Sequence, residues 1–118
     1  MIDAIEPILT KNYDYLCDVT IDSVRLLKEL LEIKTELVLM SSLDYPKESK
    51  KNQLVLDLCI AIGPDYYLSG RGAKKYMELE PFTEKGIDVE FQEFIQQPYP
   101  QHFANEFVGG LSTLDMLF

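Results

Sequence analysis

Residues 65–76 read Asp-Tyr-Tyr-Leu-Ser-Gly-Arg-Gly-Ala-Lys-Lys-Tyr: a short apolar strand that runs through a glycine-bearing turn into a helix. No other stretch restricts the fold as much, because a strand leading into a helix is half of the crossover unit that joins parallel strands. Glycine permits positive φ and close approach of the backbone to a ligand, and the first N–H groups of a following helix carry partial positive charge. The turn therefore has the makings of an anion site, with Arg71, Lys74 and Lys75 adding full charges.

The charge distribution sharpens that reading. The 118 residues carry a formal charge of −9. The window 47–75 runs against this trend. It holds Lys47, Lys50, Lys51, Arg71, Lys74 and Lys75 against Glu48, Asp57 and Asp65, a net +3 that leaves −12 for the remainder. An acidic body argues against duplex nucleic acid as the main partner, since such binding relies on clustered bases that neutralise phosphates. A local basic patch on that body can still concentrate a small anionic ligand. Ser69, Gly70, Arg71 and Gly72 are the expected primary contacts, with Lys74, Lys50 and Lys51 beside them.

The length predicts a single α/β domain over 1–118. No apolar run approaches the ~20 residues of a membrane span, and the first residues lack a basic, then apolar, leader pattern, so a cytoplasmic location is expected. Cys17 and Cys59 each sit in an apolar helical pattern, which predicts two buried reduced thiols.

Along the chain, Leu16, Val19, Val24, Leu27, Leu30 and Leu31 recur at helical spacing, with Asp18 or Thr20 available as an N-cap. Residues 36–40 read as a buried strand and 41–52 as a charged loop. Leu54–Ile62 reads as a core helix stopped by Gly63-Pro64, and residues 66–68 as a second strand. Ala73–Leu79 is a helix that Glu80-Pro81 interrupts, and a further turn of helix ends at Gly86. Residues 87–94 alternate apolar and polar side chains, the period of a strand with one wet face. Leu111–Phe118 reads as a terminal helix capped by Ser112 or Thr113. The order predicts a small, mainly parallel three-stranded sheet flanked by helices, with ligand-binding loops beyond the strands' carboxyl ends.

Among single residues, His102 is the only histidine and hence the one candidate general base, imidazole being the side chain suited to that role, although a lone loop histidine more often reads as surface structure. No Gly-x-Ser-x-Gly elbow surrounds Ser69, and neither phosphate-loop nor dinucleotide-binding glycine patterns occur. Asp88 and Glu90 share one strand face. Asp115 reads as a carboxylate near the positive end of the last helix. No zinc-ligand set is present, no cofactor is indicated, and the catalytic residues are not identified.

Several ordered motifs together resemble the WbqC-like family: Tyr67-Leu68-Ser69-Gly70 with Tyr76 following, Gly86-Ile87-Asp88-Val89-Glu90-Phe91-Gln92, Pro98-Tyr99-Pro100-Gln101 and Leu111-Ser112-Thr113-Leu114-Asp115-Met116-Leu117-Phe118. Leu31-Glu32-Ile33-Lys34-Thr35 leading to Ser41-Ser42 extends the likeness upstream. The resemblance corresponds to the family's C-terminal half, and the N-terminal half with its Gln-Pro entry motif has no counterpart here. It implies a setting in bacterial O-antigen or other surface-polysaccharide biosynthesis and a transferase that binds an activated sugar or amino-acyl donor. The alternative is a non-catalytic domain that docks through a sheet edge or apolar face, either on a second copy or on a partner chain supplying the missing half.

Overall fold

The computed structural model describes residues 2–102 and 105–117. It is a mixed helix and strand chain with five α-helices and one two-stranded parallel sheet among those residues. The chain forms two compact units, Leu37–Ile95 and, separately, Met1–Glu36 with Gln96–Phe118.

In the first unit, helix α3 (Lys51–Ile62) is followed by strand β1 (Tyr66–Ser69), a 3-10 turn (Arg71–Lys75), helix α4 (Glu80–Glu84) and strand β2 (Asp88–Phe91). Gly63 ends α3 in the left-handed conformation at φ +74°, its N–H bonded to the Cys59 carbonyl, as the Gly-Pro stop predicts. β1 and β2 run parallel, pairing Tyr66 with Asp88 and Ser69 with Phe91. The rungs run through Asp65 and Ser69, whose carbonyls accept the N–H groups of Asp88 and Gln92. Alternation then turns Tyr67 and Ser69 inward and leaves Tyr66 and Leu68 outward, matching their burial. The core consists of Leu56, Cys59, Phe82 and Ile87, with Val55, Tyr67, Met77 and Val89 packed against it. Fully buried Phe82 stacks on Tyr67 with ring centroids 6.1 Å apart.

Several expectations are corrected here. Residues 36–39 form no strand, and Met40–Ser42 is a 3-10 turn, so the sheet has two strands and not three. The apolar run Leu37–Met40 has β-forming composition, but its side chains stay exposed and no strand lies beside it. The helix expected over Ala73–Leu79 is a short 3-10 turn ending at Lys75. Glu80-Pro81 starts a helix where an interruption was expected, because proline is well placed in a first turn, where its missing N–H has no intrahelical partner to lose. α4 ends before Gly86, at φ +72°.

In the second unit, α1 (Ile2–Thr10) packs with α2 (Leu16–Leu30). The N-cap of α2 is Tyr15, without a side-chain cap; Thr20 instead donates its hydroxyl to the Cys17 carbonyl. Cys17 is exposed, and only Cys59 is buried, where burial pushes its thiol pKa up. Helix α5 (Thr113–Leu117) starts with the Ser112 hydroxyl accepting the Leu114 N–H, the expected cap; Phe118, included in the sequence expectation, lies outside the described residues. No helix among the described residues is long and apolar enough to cross a membrane.

Candidate functional site

The carboxyl end of β1 delivers the chain to the predicted loop. Ser69 is only 2% exposed, its side chain on the core side of the sheet, whereas Gly70, Arg71, Gly72 and Lys74 are exposed on the turn that follows. Gly70 has φ −64°, and neither it nor Gly72 has a positive φ. A Cβ at either position would meet nothing within 4 Å. The left-handed geometry anticipated from the glycines is therefore not used. The turn closes through ordinary bonds from the N–H groups of Ala73 and Tyr76 to the carbonyls of Gly70 and Ala73.

Lys50 and Lys51 come from the start of α3. Lys50 is the extended N-cap of α3, and Lys51 is the first helical residue, at φ +53°; both are exposed. Asn52 then ties this end of α3 to the segment beyond the 3-10 turn. Its Nδ2 donates to the Glu78 carbonyl at 3.1 Å, and its Oδ1 accepts the Glu78 N–H at 3.2 Å. Helix α3 is further steadied at its start by Asp57, whose carboxylate accepts the Ser49 hydroxyl at 2.5 Å and the Gln53 amide at 2.8 Å. Lys50, Lys51, Arg71 and Lys74 make no ion pair among the described residues, so no neighbouring carboxylate neutralises their charge. Lys47 lies over the Tyr45 ring, 3.7 Å from its centroid. Ser69 is the predicted site residue that the geometry sets apart, because its side chain is buried.

Two polar clusters in the other unit escape sequence reading. Between α1 and α2 a shallow cavity of about 350 Å³ is lined by Pro7, Ile8, Lys11, Tyr13, Asp22 and Arg25 among others. Asp22 accepts from Lys11 at 2.7 Å and from the Tyr13 hydroxyl at 3.2 Å, with Arg25 at 3.8 Å. The Lys11 hydrogen bond holds the Asp22 carboxyl below its usual pKa and raises that of Lys11 itself. Desolvation, then the bond to Asp22, raises Tyr13. No local spacing announces this cluster, because Lys11 and Tyr13 come from the connection after α1 while Asp22 and Arg25 come from α2.

The second cluster joins Tyr99, Gln101 and Asp115. The Tyr99 hydroxyl donates to Asp115 Oδ2 at 2.7 Å, and Gln101 Nε2 donates to the same oxygen at 2.8 Å. Gln101 also accepts the Val108 N–H at 2.8 Å and donates to the Val108 carbonyl at 3.1 Å. Phe107 packs edge-on against Tyr99 at 5.3 Å. A signal for this cluster exists in the sequence, since Pro98–Gln101 and Leu111–Phe118 are two of the quoted motifs. Asp115 binds these side chains and is not simply a helix-terminus charge. His102 is exposed in the adjoining turn. Among the described residues no three His, Cys, Asp or Glu side chains converge as metal ligands.

The geometry thus defines a small α/β protein with a parallel strand pair and exposed basic residues on the turn that follows its first strand. Residues 1–118 match the model of the WbqC-like protein family, and the chain belongs to that family. The match takes in the whole chain, including the first thirty residues, which carry none of the motifs quoted above. No curated protein and no solved structure matches it.

Proposed function

We propose that this WbqC-like protein acts in the biosynthesis of a bacterial surface polysaccharide, as a transferase domain that holds the anionic part of an activated sugar or amino-acyl donor. In this reading the 118 residues act as one domain, the counterpart of the family's C-terminal half. Arg71, Lys74, Lys50 and Lys51 supply charge, and the backbone at Gly70 and Gly72 offers close approach. Ser69, its side chain buried and its carbonyl taken by the Gln92 N–H, reaches a ligand only if the sheet end opens. The observation that carries the reading is the Asn52 clasp on Glu78, which fastens the lysine-bearing start of α3 to the chain leaving the 3-10 turn. Both basic segments then belong to the end of the unit where parallel strands deliver ligand-binding loops.

The test is a thermal-shift screen of the chain and of Arg71→Ala against nucleotides, nucleotide sugars, amino acids, phosphate and sulfate. A ligand at ten times its Kd adds about 1.4 kcal/mol, or roughly 5 °C for a domain of this size. A class-specific shift lost in Arg71→Ala supports the reading. Cooperative melting with no shift from any ligand overturns it.

A specific observation favours a second reading, docking without catalysis. Parallel sheets are ordinarily covered on both faces, yet Tyr66 and Leu68 on the outer face of β1 are 49% and 59% exposed. The same strand has an open edge for want of a third strand.

A further inference from the structure

Backbone hydrogen bonding in the unit Leu37–Ile95 leaves two complementary elements unsatisfied. β1 gives the groups of Asp65, Tyr67 and Ser69 to β2, so by the alternation of a parallel ladder Tyr66 and Leu68 point their N–H and C=O groups to the free edge. That edge carries no charged side chain and no proline. On β2, by contrast, Asp88 and Glu90 are charges of the kind that discourage strand addition. The second element is Leu37–Met40, apolar and exposed throughout. Among the described residues, Leu37 and Val38 share no backbone hydrogen bond with any other residue. The Leu39 carbonyl is already occupied by the Ser42 N–H at 2.9 Å and the Ser42 hydroxyl at 2.7 Å. The rung still available is therefore that of Val38.

We propose that Leu37–Met40 of one chain adds to the β1 edge of a second copy, with Val38 bonding to Tyr66 and Leu68. This inference rests on the docking reading and names the occupant. A second copy fits because each chain carries one donor segment and one acceptor edge. A twofold pair then satisfies both at once and closes. Each sheet in the pair becomes three-stranded. The strand-forming composition of residues 37–40, unused within a single chain, is thereby accounted for.

The test combines sedimentation velocity over a concentration series with residue-resolved amide exchange. The expected result is a concentration-dependent dimer in which the Leu68 amide, whose N–H meets the Val38 carbonyl while the Tyr66 carbonyl accepts the Val38 N–H, becomes protected as dimer forms. Val38→Pro removes the donor from both symmetry-related rungs and should weaken the dimer roughly tenfold or more, since two backbone hydrogen bonds are lost and a partner carbonyl is left unpaired in each. Val38 itself makes no backbone bond with any described residue of the single chain, so the variant should fold, and an unchanged melting curve of its monomer checks this. A dimer that survives Val38→Pro overturns the proposal and leaves docking through another surface standing. A monomer with a protected Leu68 amide overturns it in favour of pairing within one chain. A monomer with open amides at every concentration overturns it along with docking at this edge.

Discussion

Tyr99 and Asp115 stand sixteen residues apart, and the phenol donates its proton to the carboxylate at 2.7 Å, with Gln101 on the same oxygen at 2.8 Å. Two stretches far apart in sequence, Pro98–Gln101 and Leu111–Leu117, thus meet at one carboxylate.

The bond to Asp115, then desolvation, raises the Tyr99 pKa above its ordinary value near 10. A folded-state pKa above the unfolded one means stabilisation that is complete below the unfolded value and lost as pH rises through the folded value. Urea denaturation from pH 8 to 12 should therefore show an alkaline loss of stability that is smaller in Tyr99→Phe. Identical alkaline slopes in both proteins would rule out the bond as its source.

At Asp22 the sign reverses. The Lys11 hydrogen bond depresses its pKa, so its contribution is present above the unfolded value and lost as pH falls through the folded one. Lys11→Met should lower stability at neutral pH and flatten the acid limb of the stability profile. Chemical-shift titration of the Asp22 carboxyl carbon should show its midpoint moving up toward the ordinary range in that variant.

The core of the sheet-bearing unit is small, so each member counts. Phe82→Ala removes a fully buried ring stacked on Tyr67 and should cost about 3–5 kcal/mol, whereas Ile87→Val should cost about 0.5–1.5 kcal/mol. Denaturant titration followed by tyrosine fluorescence checks both values. A Phe82→Ala cost below that of Ile87→Val would contradict this packing.

The glycines divide by backbone angle. Gly63 and Gly86 have φ +74° and +72°, and alanine there should destabilise by about 1 kcal/mol or more. Gly70 at φ −64° has open space around its missing Cβ, so Gly70→Ala should be neutral or stabilising by about 0.4–1 kcal/mol. Under the donor-binding proposal the same change should still weaken ligand binding, since a methyl group would face the anion. Melting temperatures with and without ligand separate the two effects.

The elements legible in the sequence were those with a local physical signature. Helix α2 followed from its apolar spacing, α3 from its apolar run and Gly63, β2 from alternation and α5 from Ser112. The third strand failed because residues 36–40 carry strand composition without a strand to pair with, and pairing is a tertiary property. Helix α1 was concealed by Pro7, which lies inside it, and the 3-10 turn by glycines whose angles turned out ordinary. At the candidate site the basic residues and their loop were visible from charge and turn chemistry. The burial of Ser69 and the reach of Asn52 across 26 residues were not, because both depend on which elements pack together.

Asn52 offers Glu78 both an N–H and a C=O, so its side chain serves as a substitute peptide group at a place where no strand runs. Only an amide of that length supplies donor and acceptor together. Aspartate has the size without the donor, leucine the shape without either, and glutamine both groups with an extra methylene. Position 52 should therefore tolerate almost no replacement in a deep mutational scan.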